Sequence, residues 1–150
     1  MAHRPLRVLE LFQPPDGGVP EHVRRLTEGL AARGHEVVVG GPADAVLRPD
    51  LERVASYLPL NIVGRVPAPR EDVSTLRRLG AALDAGRFDA VHVHGQKAGL
   101  LGRVAARRGR VPSLYTPHSF VYRTQLRRPR RGARARRAAC LLYTSPSPRD

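Results

Sequence analysis

The sequence has no tryptophan, three phenylalanines, four tyrosines, one cysteine and one lysine, and no apolar run approaches the ~20 residues needed to span a bilayer. Each scarcity excludes something. Without such a run the chain is not read as crossing a membrane, and Met1-Ala2-His3-Arg4-Pro5 leads into a strand-like segment rather than a signal peptide. The expected location is therefore cytoplasmic. Few aromatics, and no aromatic platform among the arginines, argue against a single-stranded nucleic-acid binder, which stacks bases on such side chains. The single cysteine, Cys140, falls in the last eleven residues, so cysteine spacing says nothing about redox compartment.

What is abundant is positive charge, a formal +13. Its placement matters more than its size. Eight arginines between Arg123 and Arg137 stand with no acid among them, and the rest of the chain is only mildly basic. Lys97 is the only lysine among 26 basic residues, an imbalance expected of a GC-rich coding sequence. With 41% hydrophobic residues over 150 positions, the chain can bury the core of one ordinary domain.

Apolar periodicity places Val8-Leu9-Glu10-Leu11-Phe12 in a first strand, closed by Gln13-Pro14-Pro15-Asp16-Gly17-Gly18. A helix follows, with Pro20 in its first turn, Val23, Leu26, Leu30 and Ala31 on one face, and Gly34 as its stop. Val37-Val38-Val39 reads as a strand covered on both faces. Arg48 to Leu58 is weakly helical, and Asn61 to Val66 is the expected third strand. Ser74 caps an expected helix with Leu76, Leu79 and Leu83 inward, and Phe88 to His94 returns as a strand. A helix from Lys97 to Arg108 and a strand from Val111 to Tyr115 complete the pattern. No repeat of fixed period is present. Such alternation predicts an α/β fold, a Rossmann-like doubly wound parallel sheet ordered 3-2-1-4-5.

Ligands of an open parallel sheet bind beyond the carboxyl ends of its strands. Three loops stand there: Asp16-Gly17-Gly18, His94-Gly95-Gln96-Lys97 and Thr116-Pro117-His118-Ser119. Gly17-Gly18 before a helix allows close backbone approach to an anion, although a plain tight turn has the same sequence. His92 and His94 alternate and so share a face, but no further metal ligands stand near them in sequence, and a packing role suits His92. No metal is expected. Lys97 suggests a compact ammonium at a site, against the alternative of a solvated helix-end lysine. His118, on a loop constrained by Pro117, is a candidate proton donor or hydrogen-bonding group, against the alternative of a loop histidine that caps backbone.

Together, Gly17-Gly18-Val19-Pro20-Glu21-His22-Val23, Ala32-Arg33-Gly34-His35-Glu36-Val37, Asp89-Ala90-Val91-His92-Val93-His94-Gly95 and Tyr115-Thr116-Pro117-His118 resemble the N-terminal domain of family 4 glycosyltransferases of GT-B fold. Lys97-Ala98-Gly99-Leu100-Leu101-Gly102-Arg103 looks most like members that extend exopolysaccharide or O-antigen units on lipid carriers. The resemblance implies retaining transfer of a sugar from a nucleotide-sugar donor to a lipid-linked or polysaccharide acceptor, with no metal or other cofactor. It implies that Gly17 and Gly18 approach the donor phosphates or the acceptor and that His118 lies beside the transferred sugar as the catalytic group. The candidate substrate-binding set is then Gly17, Gly18, His94, Lys97, Thr116 and Ser119; Ser119 stands where the family usually has glycine.

Alternatives remain. Another GT-B enzyme, such as a sugar-nucleotide epimerase, would share this half, and the arginines suit a nucleic-acid or membrane-surface module. Peripheral attachment to an anionic membrane face is compatible with a lipid-linked acceptor; nucleic acid is not the expected partner. Residues 140–150 resemble the translation of a transposase-type sequencing adaptor. The expected organisation is an incomplete N-terminal domain over 1–139 followed by a non-native tail, with the donor-binding half missing and the chain alone inactive.

Overall fold

The computed structural model describes residues 4–62, 64 and 67–118; Ser119, the arginine run and residues 140–150 lie outside them. Five parallel strands form one sheet in the order β3-β2-β1-β4-β5. They are β1 (Arg7–Phe12), β2 (Glu36–Pro42), β3 (Ser56–Leu60), β4 (Ala90–His94) and β5 (Ser113–Thr116). The helices α1 (Gly18–Ala32), α2 (Arg48–Glu52), α3 (Pro69–Gly86) and α4 (Gln96–Arg108) alternate with them. None of these is long and apolar enough to cross a membrane.

Two apolar layers cover the sheet, one per face, because successive strand residues point to opposite sides. On one side Leu9, Leu11, Val91 and Val93 pack with α3 through Leu79 and Leu83 and with α4 through Leu101 and Ala105. On the other, Phe12, Val37 and Val39 pack with α1 through Val23 and with α2 through Leu51. Small residues bring α4 close to the first layer. A Cβ at Gly102 would sit 2.5 Å from Val93 and 2.6 Å from Leu11, so a larger residue there must displace the helix.

The order of strands and the stop at Gly34, which has φ +83°, agree with the sequence reading. Some boundaries do not, and the helix expected from Arg48 to Leu58 stops at Glu52. The third strand is Ser56–Leu60, earlier than the expected 61–66, and it contains Pro59, which a strand tolerates at the edge of a sheet where an N–H is not needed. Helix α3 begins at Pro69, not after Ser74; Pro69 occupies its first turn, and Asp72 Oδ2 accepts the Ala68 N–H at 3.0 Å, closing the helix start from the side chain.

Candidate functional site

The strand order reverses between β1 and β4, so the crevice expected of this fold opens at their carboxyl ends. Register decides what lies there. Glu10 stands opposite His92, and Phe12 opposite His94, while His94 pairs in turn with Thr116 on β5. The two-residue period therefore puts Glu10, His92, His94 and Thr116 on the α1 side of the sheet. Helix α1 adds His22 from its first turns, and the chain leaving β5 adds His118.

These groups form one hydrogen-bonded cluster. Glu10 Oε2 lies 2.8 Å from His94 Nε2, and Glu10 Oε1 lies 3.3 Å from His92 Nδ1. His92 Nε2 is 2.8 Å from Thr116 Oγ1, and His94 Nδ1 is 3.1 Å from His118 Nε2. A single assignment of protons satisfies all four contacts. Glu10 is anionic and accepts N–H from both imidazoles; Thr116 O–H donates to His92, and His118 Nε2–H donates to His94.

Glu10 is 1% exposed and His94 fully buried. Burying a carboxylate costs several kcal/mol unless hydrogen bonds replace its water. Burial pushes the Glu10 carboxyl up, but the hydrogen bonds and charge of His92 and His94 outweigh it and hold the group below its ordinary value. Burial pushes His94 down, against the hydrogen bond to Glu10, and His92 and His22 add to the depression. His118 is lowered by burial and then by His94, His22 and His92. The site thus sets a buried carboxylate whose charged form is favoured against two imidazoles, His94 and His118, whose charged forms are disfavoured.

Beside this cluster is the Gly17–Gly18 turn. Gly17 has φ +88°, a conformation that favours glycine, and precedes α1 with no side-chain cap on the helix start. A Cβ at Gly17 or Gly18 would meet no heavy atom within 4 Å, so a side chain there would point into open space. Across the crevice Gly95, with φ +86°, packs against the Gln13 carbonyl oxygen so closely that a Cβ would overlap it. That contact ties the β4–α4 turn to the end of β1.

The structure brings together His94, Thr116 and His118 from the expected set. It buries His94 completely, however, so this histidine reaches the crevice only through the Nδ1 that faces His118. Lys97 departs further from expectation. It is 6% exposed, and its Nζ lies 2.7 Å from Asp72 Oδ1 of α3. Helices α3 and α4 pack on the face opposite α1, and the Lys97–Asp72 ion pair joins these two helices. Ser119 lies outside the described residues.

Sequence reasoning passed over Glu10 and His22. Glu10 carried a signal, since a carboxylate inside an apolar strand of a covered parallel sheet is rarely buried without a partner. It also found no metal-ligand set, whereas the fold assembles two groups of three close ligands, His22–His94–His118 and Glu10–His92–His94.

Comparison with known proteins adds a second line. The family described as Glycosyl transferase 4-like domain matches residues 17–150. A phosphatidyl-myo-inositol mannosyltransferase of Mycolicibacterium smegmatis is 32% identical over 105 residues, 69% of this chain and 27% of that enzyme. An alpha-monoglucosyldiacylglycerol synthase of Acholeplasma laidlawii is 32% identical over 120 residues, 73% of this chain and 28% of that enzyme. The chain thus spans little more than a quarter of the length of these relatives. Among solved structures, MurG of Acinetobacter baumannii superposes with a TM-score of 0.65 at 17% identity, over 82% of this chain and 39% of that one. A UDP-N-acetylglucosamine 2-epimerase superposes with a TM-score of 0.55 at 19% identity, over 76% of this chain and 32% of that one. These two likenesses concern the fold alone, which transferases and an epimerase share; the sequence matches point to one family. The chain belongs to the glycosyl transferase 4-like domain family, with the Rossmann-like sheet of a GT-B N-terminal domain.

Proposed function

We propose that this chain is the acceptor-side domain of a retaining glycosyltransferase that moves a sugar from a nucleotide-sugar donor to a lipid-linked acceptor. The observation that carries the reading is His118, which rests on the buried His94–Glu10 pair and stands 5.0 Å between ring centres from His22 of α1, the helix that begins at the open glycine turn. Gly17 and Gly18 leave room for an anionic ligand at a helix N-terminus, where unpaired N–H groups favour negative charge. His118, half of a neutral imidazole pair, offers a ring edge for hydrogen bonding to a sugar hydroxyl or departing phosphate. The lipid-linked acceptor is supported by relatives whose names contain a phosphatidyl-inositol, a diacylglycerol and, for an Escherichia coli galactosyltransferase 37% identical over 59 residues, a diphosphoundecaprenol.

The donor phosphate would help to deprotonate the acceptor hydroxyl, with His118 positioning the reacting groups and forming no adduct. In this reading donor binding belongs to a second domain. The test is sugar transfer to a lipid acceptor by this chain joined to a donor-binding domain. His118→Ala is expected to lower turnover at least ~10-fold, as for a lost polar group at a transition state. Gly18→Val is expected to lower transfer with the fold retained, because its side chain meets no protein atom within 4 Å at the Cβ and so reports on ligand. Full transfer by both variants, or a sugar trapped covalently on His118, contradicts the reading.

A further inference from the structure

We infer that His22, His94 and His118 form a binding site for one divalent transition-metal ion of the zinc type, at the mouth of the crevice. Their ligand nitrogens all lie within 4.8 Å of one another. The ring centres are 5.5 Å apart for His22 and His94, 5.0 Å for His22 and His118, and 5.3 Å for His94 and His118. Three imidazoles on one tetrahedral ion, with metal–nitrogen bonds of ~2.0–2.1 Å, place their ring centres about 5.2 Å apart and their ligand atoms about 3.3 Å apart. His94 Nδ1 and His118 Nε2 already stand at 3.1 Å. His22 is exposed on the first turns of α1, so its side chain has the freedom to close the third edge.

The second observation is the carboxylate behind the site. Glu10 Oε2 takes the N–H of His94 Nε2 at 2.8 Å, which fixes the ring's tautomer and leaves the Nδ1 lone pair directed towards His118. A carboxylate that orients the far nitrogen of a ligand histidine is the usual outer support of a metal-bound imidazole. Binding requires only that the His118 proton move from Nε2 to Nδ1, after which both facing lone pairs address the ion. His22 and His118 are both exposed, so the fourth position opens to water. A set of imidazoles with no carboxylate among the ligands selects zinc or cobalt over magnesium or calcium. The inference goes beyond the transferase reading and does not depend on it, because the three ligands and Glu10 all belong to this chain.

Calorimetric titration of the chain with Zn²⁺, and with Co²⁺ as a visible-absorption probe, tests it without any activity measurement. One ion per chain is expected at micromolar or tighter affinity, with the absorption of a tetrahedral or five-coordinate cobalt centre and no response to Mg²⁺. His22→Ala and His118→Ala, both at the exposed rim and so placed to leave the fold intact by circular dichroism, are each expected to weaken binding at least ~10-fold. Glu10→Gln is expected to weaken it as well, through His94. Absence of 1:1 binding overturns the inference. So does binding that persists unchanged in both rim variants, which would move the ion to the deeper Glu10–His92–His94 group or elsewhere.

Discussion

The two ends of the same strand pair, β1 and β4, treat polar groups in opposite ways. At the amino end, Asp89 just before β4 accepts the Arg7 N–H at 2.8 Å and pairs with Arg4, whose side chain is 75% exposed. Water remains around the Arg4–Asp89 pair, and exposed pairs of this kind contribute little. At the carboxyl end, Glu10 and His94 are sealed from solvent and hold each other, His92 and His118. The amino end could lose its charges and the sheet would still pack. The carboxyl end could have been apolar, as Leu9, Leu11, Val91 and Val93 are on the opposite face, and would then need no partners. Polar groups buried where the fold does not require them are the ground for proposing that this end meets ligand.

The largest effect should follow from removing the carboxylate that anchors the buried set. Glu10→Ala leaves two inward imidazole N–H groups without an acceptor, and each buried donor left unsatisfied costs about 1–3 kcal/mol. Glu10→Gln keeps one acceptor and should cost less, about 1–3 kcal/mol. Urea unfolding at neutral pH measures both, with an unchanged denaturant slope showing that only stability has moved. A Glu10→Ala variant as stable as the parent would erase the contrast between the two ends.

Next in size is Lys97, buried between α3 and α4. Lys97→Met removes the cation but keeps much of its apolar stem, so Asp72 retains only part of its bonding, with the Ala68 N–H at 3.0 Å. Because Asp72 is itself 19% exposed, the expected loss is smaller than at Glu10, about 1–2 kcal/mol. Lys97→Ala in a transfer-competent protein sharpens the point. Loss of transfer at unchanged stability would return Lys97 to the ligand-binding set; loss of stability first agrees with the ion pair.

The fold was legible because its signals are local: period-two and helical spacings, strand lengths and the Gly34 stop place most elements, and the right-handed crossover rule then orders the strands. The third strand escaped because Pro59 reads as a breaker unless the strand is known to lie at the sheet's edge, which only tertiary structure reveals. The site was half legible for the same reason. His118 and Thr116 stand at a strand end where ligands bind, but Glu10 meets its partners across 82 and 84 residues of chain, and no spacing rule reaches that far. His22 sits on an exposed helix turn like any surface histidine; its meaning comes from the ring centres of His94 and His118 lying 5.5 and 5.0 Å away. The Lys97–Asp72 ion pair was not legible because rarity in the sequence cannot distinguish a buried ion pair from a ligand contact.

The smallest effect belongs at the amino end. Asp89→Asn keeps an acceptor for the Arg7 N–H and loses only the charge that faces Arg4, which water largely screens. The Asp89 carboxyl is held below its ordinary value first by the Arg7 backbone hydrogen bond and then by Arg4. A group depressed on folding stabilises above its unfolded value, near ~3.9, and loses that contribution as the pH falls through its lower folded value. The difference between parent and variant should therefore be small at neutral pH, smaller still in high salt, and absent in acid below the folded carboxyl's range. Thermal unfolding of the two proteins from pH 7 down to the acid limit of the fold measures it. A loss at pH 7 as large as that of Glu10→Ala would show that the amino end is anchored as firmly as the carboxyl end, and burial would no longer tell the ligand-binding end from its opposite.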